Sequence, residues 1–143
     1  MSCIKPPRGL RNHNPGNLRL PASDTRPGYV GSDKDGYSVF TSAQHGLESL
    51  ARLLVNYGRA NLNTIAAIIG RYAPISENDT AAYASYLAKR LKTETDAPLD
   101  MKSANTLADL MMGIVFFENG SCPYNRTMIF NAAKKAITGV TKI

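Results

Sequence analysis

Glu118 stands apart among the eleven acidic residues of this chain. It follows Met111, Ile114 and Val115 at spacings of seven, four and three, so it lies on or beside the apolar stripe of the helix that carries it. It also falls at that helix's C-terminus, where the macrodipole disfavours a negative charge. A carboxyl group in such a setting suits proton transfer to the leaving oxygen of a glycoside. A glycosidase of the hydrolytic kind adds a second carboxylate. Asp35, in the stretch Asp33-Lys-Asp-Gly36, is one candidate, although Asp-Gly is first of all a hairpin-turn dipeptide. Glu77 is the other; it stands just outside a helix for which Asp79 is the expected N-cap. The cluster Asn12-His-Asn14-Pro-Gly-Asn17 has two readings: a tight turn, or a cleft wall whose amides bond a sugar or peptide. His13 and His45 have no partner at ligand spacing, and no Gly-x-Ser-x-Gly elbow, phosphate loop or Cys-x-x-Cys pair occurs. Neither a metal nor an organic cofactor is implied.

The elements that must position these groups divide the chain in two. Five of eight prolines and five of eleven glycines precede residue 41, which argues against helices there and for a small β-hairpin or three-stranded sheet. Its candidate strands are Asn17 to Leu20, Tyr29 to Val30 and Tyr37 to Phe40. From Thr41 the pattern turns helical. Thr41-Ser-Ala-Gln44 has the form of a capping box, and Leu47, Leu50, Leu54 and Tyr57 recur at helical spacing. Further helices are expected over Asn63 to Tyr72, Ala81 to Leu91, Ser103 to Phe117 (closed by Gly120) and about Asn125 to Ile137. The fold class is thus mainly α with a small β element, in one domain over residues 1–143: irregular and β over about 8–40, helical over about 41–137.

Composition narrows the partners. A hydrophobic fraction of 43% against 20% charged residues fits a folded soluble domain and excludes a disordered one. The net charge of +6 favours a polyanionic partner. The basic residues are spread rather than interleaved with aromatics, so a nucleic-acid partner is not favoured. The longest apolar run, Leu110 to Phe117, is too short to span a bilayer, and no signal-peptide run follows Met1. Synthesis in the cytoplasm without membrane insertion is the expectation. Cys3 and Cys122 would be free thiols there unless the fold brings them together.

Several motifs then occur in an order that resembles a family of phage and prophage lysozyme-like proteins. Arg8-Gly-Leu-Arg-Asn-His-Asn-Pro-Gly-Asn17-Leu-Arg19 is similar to that family's opening "RGIRNNNPGNIR". Tyr29-Val-Gly31, Asp35 before Phe40, Ile69-Gly-Arg-Tyr72-Ala-Pro74, Glu77-Asn-Asp-Thr80 with Tyr83, and Glu118-Asn-Gly120 with Pro123-Tyr124 follow in order, covering about residues 8–125. Tyr29 and Tyr72 occupy positions where the family usually has Trp, and Phe117 stands where it has His. The middle block also resembles bacterial cell-wall glucosaminidases, in which the helix-end Glu comes before the Asn-Leu segment. Here it comes after, which implies a circularly permuted lysozyme-like arrangement with residues 8–20 packed beside Glu118. Such packing would also bring Cys3 towards Cys122, allowing a disulfide after export.

The resemblance implies cleavage of the β-1,4 bond between N-acetylmuramic acid and N-acetylglucosamine in peptidoglycan, with Glu118 as general acid and base. Asp35 or Glu77 would be the second carboxylate of a muramidase; without one, the expectation is a lytic transglycosylase, slightly preferred. Asn14, Asn17, Tyr29, Tyr72, Tyr83 and Tyr124 are the implied cleft-lining residues. The implied partners are glycan strands in the periplasm, reached by a monomer through a holin, a virion tail or a secretion apparatus. A non-catalytic peptidoglycan-binding protein of a virion or secretion machine is the alternative from another class.

Overall fold

A computed structural model describes residues 5–73 and 79–141, with side chains described as far as residue 139. Within these residues the chain forms six helices and one antiparallel pair of strands. They run α1 (Arg8–Arg11), β1 (Tyr29–Ser32), β2 (Ser38–Phe40), α2 (Ala43–Arg59), α3 (Ile65–Tyr72), α4 (Thr80–Leu91), α5 (Ala104–Asn119) and α6 (Arg126–Thr141). The chain is therefore mainly helical with a small hairpin, as its turn-rich start and helical remainder imply.

Helix starts follow local chemistry. Asp79 caps α4 by accepting from the Ala82 amide, and Ser103 caps α5 by accepting from that of Thr106. Gly120 ends α5 at φ +76, its N–H donating to Phe116 O. Two local expectations are corrected. Ser42, not Thr41, caps α2: its extended backbone aims Oγ at the His45 amide, while Gln44 turns to Glu48 at 3.0 Å. The Thr41 N–H goes instead to Gly28 O at 2.8 Å, tying the hairpin base to the helix. The proline-rich start also contains one helical turn, α1, because Pro7 O accepts the amides of Leu10 and Arg11.

The sheet has two strands rather than three. Residues 17–20 run beside β2 without joining it: Leu18 O accepts from Ser38 N, and Leu20 N donates to Ser38 Oγ. A bulge between Tyr29 and Gly31 leaves Val30 turned to solvent. The connecting turn is closed by Asp33, whose Oδ1 accepts the amides of Asp35 and Tyr37.

The core gathers around α5, whose residues Leu107, Leu110, Met111, Ile114 and Val115 are fully buried. A helix apolar on most of its circumference must be central, and α5 packs against α1, α2, α4 and α6. The turn-rich segment is pressed onto this bundle. Gly46, in the first turn of α2, lies so close to His13 O that a Cβ would collide with it. No helix among the described residues is long and apolar enough to cross a membrane.

Candidate active site

Because α5 ends at Gly120, Glu118 falls in its last turn, half-buried, at the wall of a cleft of about 320 Å³. Two donors hold its carboxylate. Asn17 Nδ2 donates to Oε1 at 2.8 Å, across 101 residues of sequence, and the Tyr83 hydroxyl donates to Oε2 at 2.8 Å. A negative charge at a helix C-terminus opposes the macrodipole; the two donors offset this and set the plane of the carboxyl group.

Each donor is itself held. Tyr83 is fully buried and stacks on Phe117, ring centroids 3.8 Å apart at 19°. Burial, reinforced by neighbouring Tyr72 and Glu118, drives its phenol far above the usual range, so it remains a neutral donor. Asn17 adopts φ +52, a left-handed conformation that Asn tolerates better than most residues. Its loop is knotted by fully buried Asn14, whose amide donates to Leu18 O and Ser38 O while its Oδ1 accepts from Leu18 N. Next to Glu118, buried Asn119 donates to Pro15 O at 2.8 Å and fastens the same loop to the end of α5. Asn17 Oδ1 and Asn119 Oδ1 are buried without a hydrogen-bond partner among the described residues. Both face the Cα of Gly9, where a Cβ would strike Asn119 Oδ1 and come within 3.0 Å of Asn17 Oδ1. The glycine of α1 is thus the floor on which two site asparagines rest.

The cleft is lined by Glu118, Asn17, Tyr72 and, on α2, Arg52, Asn56 and Tyr57. The Tyr72 hydroxyl donates to Gly16 O. Burial and the nearby Glu118 charge push the Tyr72 phenol well up, and burial raises that of Tyr57, so both enter the cleft as neutral hydroxyls. Among the described residues Glu118 is the one carboxylate that lines it.

Residues 8–20 therefore lie beside Glu118, and Asn17, Tyr72 and Tyr83 gather around it. The other sequence candidates fall elsewhere. Asn14 lies beneath the loop, closed to a ligand, because its amide is consumed by backbone. Tyr83, although it bonds Glu118, stands behind the carboxylate rather than on the cleft wall. Tyr29 packs on Phe40, centroids 6.0 Å apart, and directs its hydroxyl to Leu20 O and Ser32 Oγ. Tyr124 is half-buried against the core beside Cys122. Asp35 is drawn to Arg8 Nη2 at 2.5 Å on the exposed hairpin and does not line the cleft. Glu77 lies outside the described residues, as does Cys3, and with it any Cys3–Cys122 pairing. Burial raises the Cys122 thiol, favouring its protonated form. No group of three or more potential metal ligands forms among the described residues.

No family model matches the chain. A curated relative does: Protein P5 of Pseudoalteromonas phage PM2, 35% identical over 123 residues, covering 82% of this chain and 74% of the relative. The chain belongs to the family of Protein P5. In this P5-family chain, sequence reasoning passes over Arg52, Asn56 and Tyr57. Their signal is present in outline: Arg52 and Asn56, like Leu53 and Tyr57, are four residues apart, so all four share a face of α2 beside its apolar stripe. What the spacing lacks is the cleft opposite them.

Proposed function

We propose that this P5-family protein cleaves the β-1,4 bond between N-acetylmuramic acid and N-acetylglucosamine in peptidoglycan, as a lytic transglycosylase. The observation that carries this is Glu118, the one cleft carboxylate among the described residues, gripped on both oxygens by neutral donors from distant parts of the chain. In the proposed step Glu118 protonates the glycosidic oxygen as the bond to C1 breaks. The same carboxylate then takes the proton of the muramic acid 6-hydroxyl as that oxygen bonds to C1, closing a 1,6-anhydro ring. No second carboxylate is required. A muramidase would need one about 5–9.5 Å away, and Asp35 is engaged by Arg8 instead. Beside its arginines the cleft presents Asn17, Asn56 and tyrosine side chains, neutral groups suited to hydrogen-bonding acetylated sugars. The rearranged lysozyme-like order supplies a reason for residues 8–20 to meet a C-terminal glutamate. Delivery to the periplasmic wall by a holin, a virion tail or a secretion apparatus completes the reading.

Mass spectrometry of the fragments released from purified peptidoglycan tests it. Anhydro-muramic ends are expected; reducing muramic ends would instead establish a hydrolase and direct attention to Glu77, tested as Glu77→Gln. Absence of any cleavage, with sedimentation of the protein onto walls, would favour a purely wall-binding component.

A further inference from the structure

The cleft beside Glu118 does not end as a closed pocket. Arg26 and Arg52 line it and also line a second cavity of about 340 Å³ between α2 and α6, bounded further by His45, Glu48 and Lys135. The two arginines are therefore shared by both spaces. Their charges are not equally engaged. Arg26 is oriented by Asp24, Nε on Oδ1 at 3.0 Å and Nη2 on Oδ2 at 3.1 Å, an arrangement that leaves Nη1 outside the pair. The Arg26 hydrogen bonds hold the Asp24 carboxyl below its usual range, so this acid is committed to fixing the arginine. Arg52 makes no hydrogen bond or ion pair with any described residue and senses Asp24 only through longer-range attraction. In the second cavity Lys135 meets Glu48 at 3.2 Å, so the positive charge left over belongs mainly to Arg52 and to the outer edge of Arg26.

Where peptide is attached, the lactyl group of muramic acid is an amide, so the sugar backbone itself carries no charge that such a junction could match. Carboxylates enter peptidoglycan through the peptide joined to the lactyl group of muramic acid. Guanidinium groups are the side chains best suited to pair with carboxylates. We infer that Arg26 and Arg52 form an anion subsite for the carboxylates of that peptide, which leaves the glycan cleft at this junction and runs into the second cavity between α2 and α6. The protein accordingly selects peptide-bearing strands over strands stripped of peptide. This rests on the peptidoglycan reading above.

The test measures binding first, so that it does not depend on turnover. Glu118→Gln protein and the same protein carrying Arg52→Gln are titrated with two oligosaccharides of equal length, one bearing peptide and one stripped by an amidase, with the lactyl carboxylates so freed then converted to amides. Preference of about tenfold for the peptide-bearing strand is expected, falling to near equality in the Arg52→Gln form, the size of one charge-assisted contact. Arg52→Lys should recover part of the preference, because charge is kept and the fork lost. Peptide strands amidated at their carboxylates should bind like stripped ones. Equal binding of peptide-bearing and stripped strands by the Arg52-containing protein would overturn the subsite. So would an equal loss on both strands in the Arg52→Gln form, which would mark Arg52 as a structural or general electrostatic residue. Failure of the peptidoglycan reading itself would appear differently, as no binding to either strand and no release of fragments by the unaltered protein, and it would remove the subsite with it.

Discussion

Glu118 and Asp35 are both carboxylates set near asparagine-rich turns, yet the fold treats them in opposite ways. The partners of Glu118 come from residues 17 and 83, which are far apart in sequence and meet only once the bundle has assembled. The hairpin acids are occupied from within the turn-rich N-terminal segment: Asp33 closes its own turn and accepts from Asn12 at 2.9 Å, and both Asp33 and Asp35 pair with Arg8. Glu118 keeps an open face on a cleft, whereas Asp33 is taken up in making a turn and Asp35 in an exposed ion pair with Arg8. The difference shows that a carboxylate becomes available for chemistry when the groups that orient it leave one side of it unoccupied.

Five substitutions and one titration probe this contrast, from the largest expected effect to the smallest. Glu118→Gln should lower peptidoglycan cleavage by about 10²–10⁴-fold, the range for losing a general acid and base, with the circular-dichroism spectrum unaltered. Cleavage at an undiminished rate would remove Glu118 from the chemistry. Gly9→Ala should disturb both sides of the site together. Its Cβ meets Asn119 Oδ1, so thermal melts should show a loss of about 1–3 kcal/mol from overpacking, and activity should fall along with it. An unchanged melt would mean that the asparagine floor can shift without cost.

Tyr83→Phe is more selective, since the ring can still stack on Phe117 while the donor to Oε2 is lost. A fall of about tenfold in cleavage rate is expected from losing one hydrogen bond to a charged group, with little change in the melt. Full activity would show that Asn17 alone suffices to set the carboxylate.

Acidification addresses the other half of the comparison. Asp33 is held below its usual range, mainly by the Asn12 amide, and Asp24 by Arg26. The unfolded chain therefore binds protons at these acids more readily than the folded one. Their contribution is fully present above the unfolded value near 3.8 and is lost as pH falls through the lower folded values. Melting temperature should drop below about pH 4, and Asp33→Asn should flatten that drop; an identical acid profile in the variant would contradict the assignment. Last, Asp35→Asn should leave cleavage within about twofold and stability nearly unmoved, as for an exposed ion pair. A loss of activity comparable to that of Glu118→Gln would restore Asp35 as a second carboxylate and collapse the distinction between the two regions.

Much of the scaffold can be read from residue order, because its signals are local. A capping Asp79 or Ser103 needs only amides three residues on, and Gly120 ends α5 through its own backbone. The helical turn α1 and the shift of the α2 cap from Thr41 to Ser42 escaped such reading. Both depend on which carbonyl a given amide reaches, and in the second case the carbonyl belongs to Gly28, in the hairpin. Within the site, Glu118 is marked by its place at the end of an apolar helix. Arg52 and Asn56 are unremarkable polar residues on α2 until the turn-rich segment is laid opposite them.

By itself, then, the sequence determined the helical domain with its turn-rich start, the position of Glu118 at a helix end, and the clustering of asparagines in one loop. Those properties come from hydrophobic period, capping groups and turn residues, all of which act over a few positions. The tertiary structure decided which asparagine serves the carboxylate and which is buried as a knot. It placed Tyr83 behind Glu118 rather than on the cleft wall, and it occupied Asp35 with Arg8. Hydrogen bonds across 101 and 35 residues exist only after the core around α5 has closed, and no local pattern encodes them.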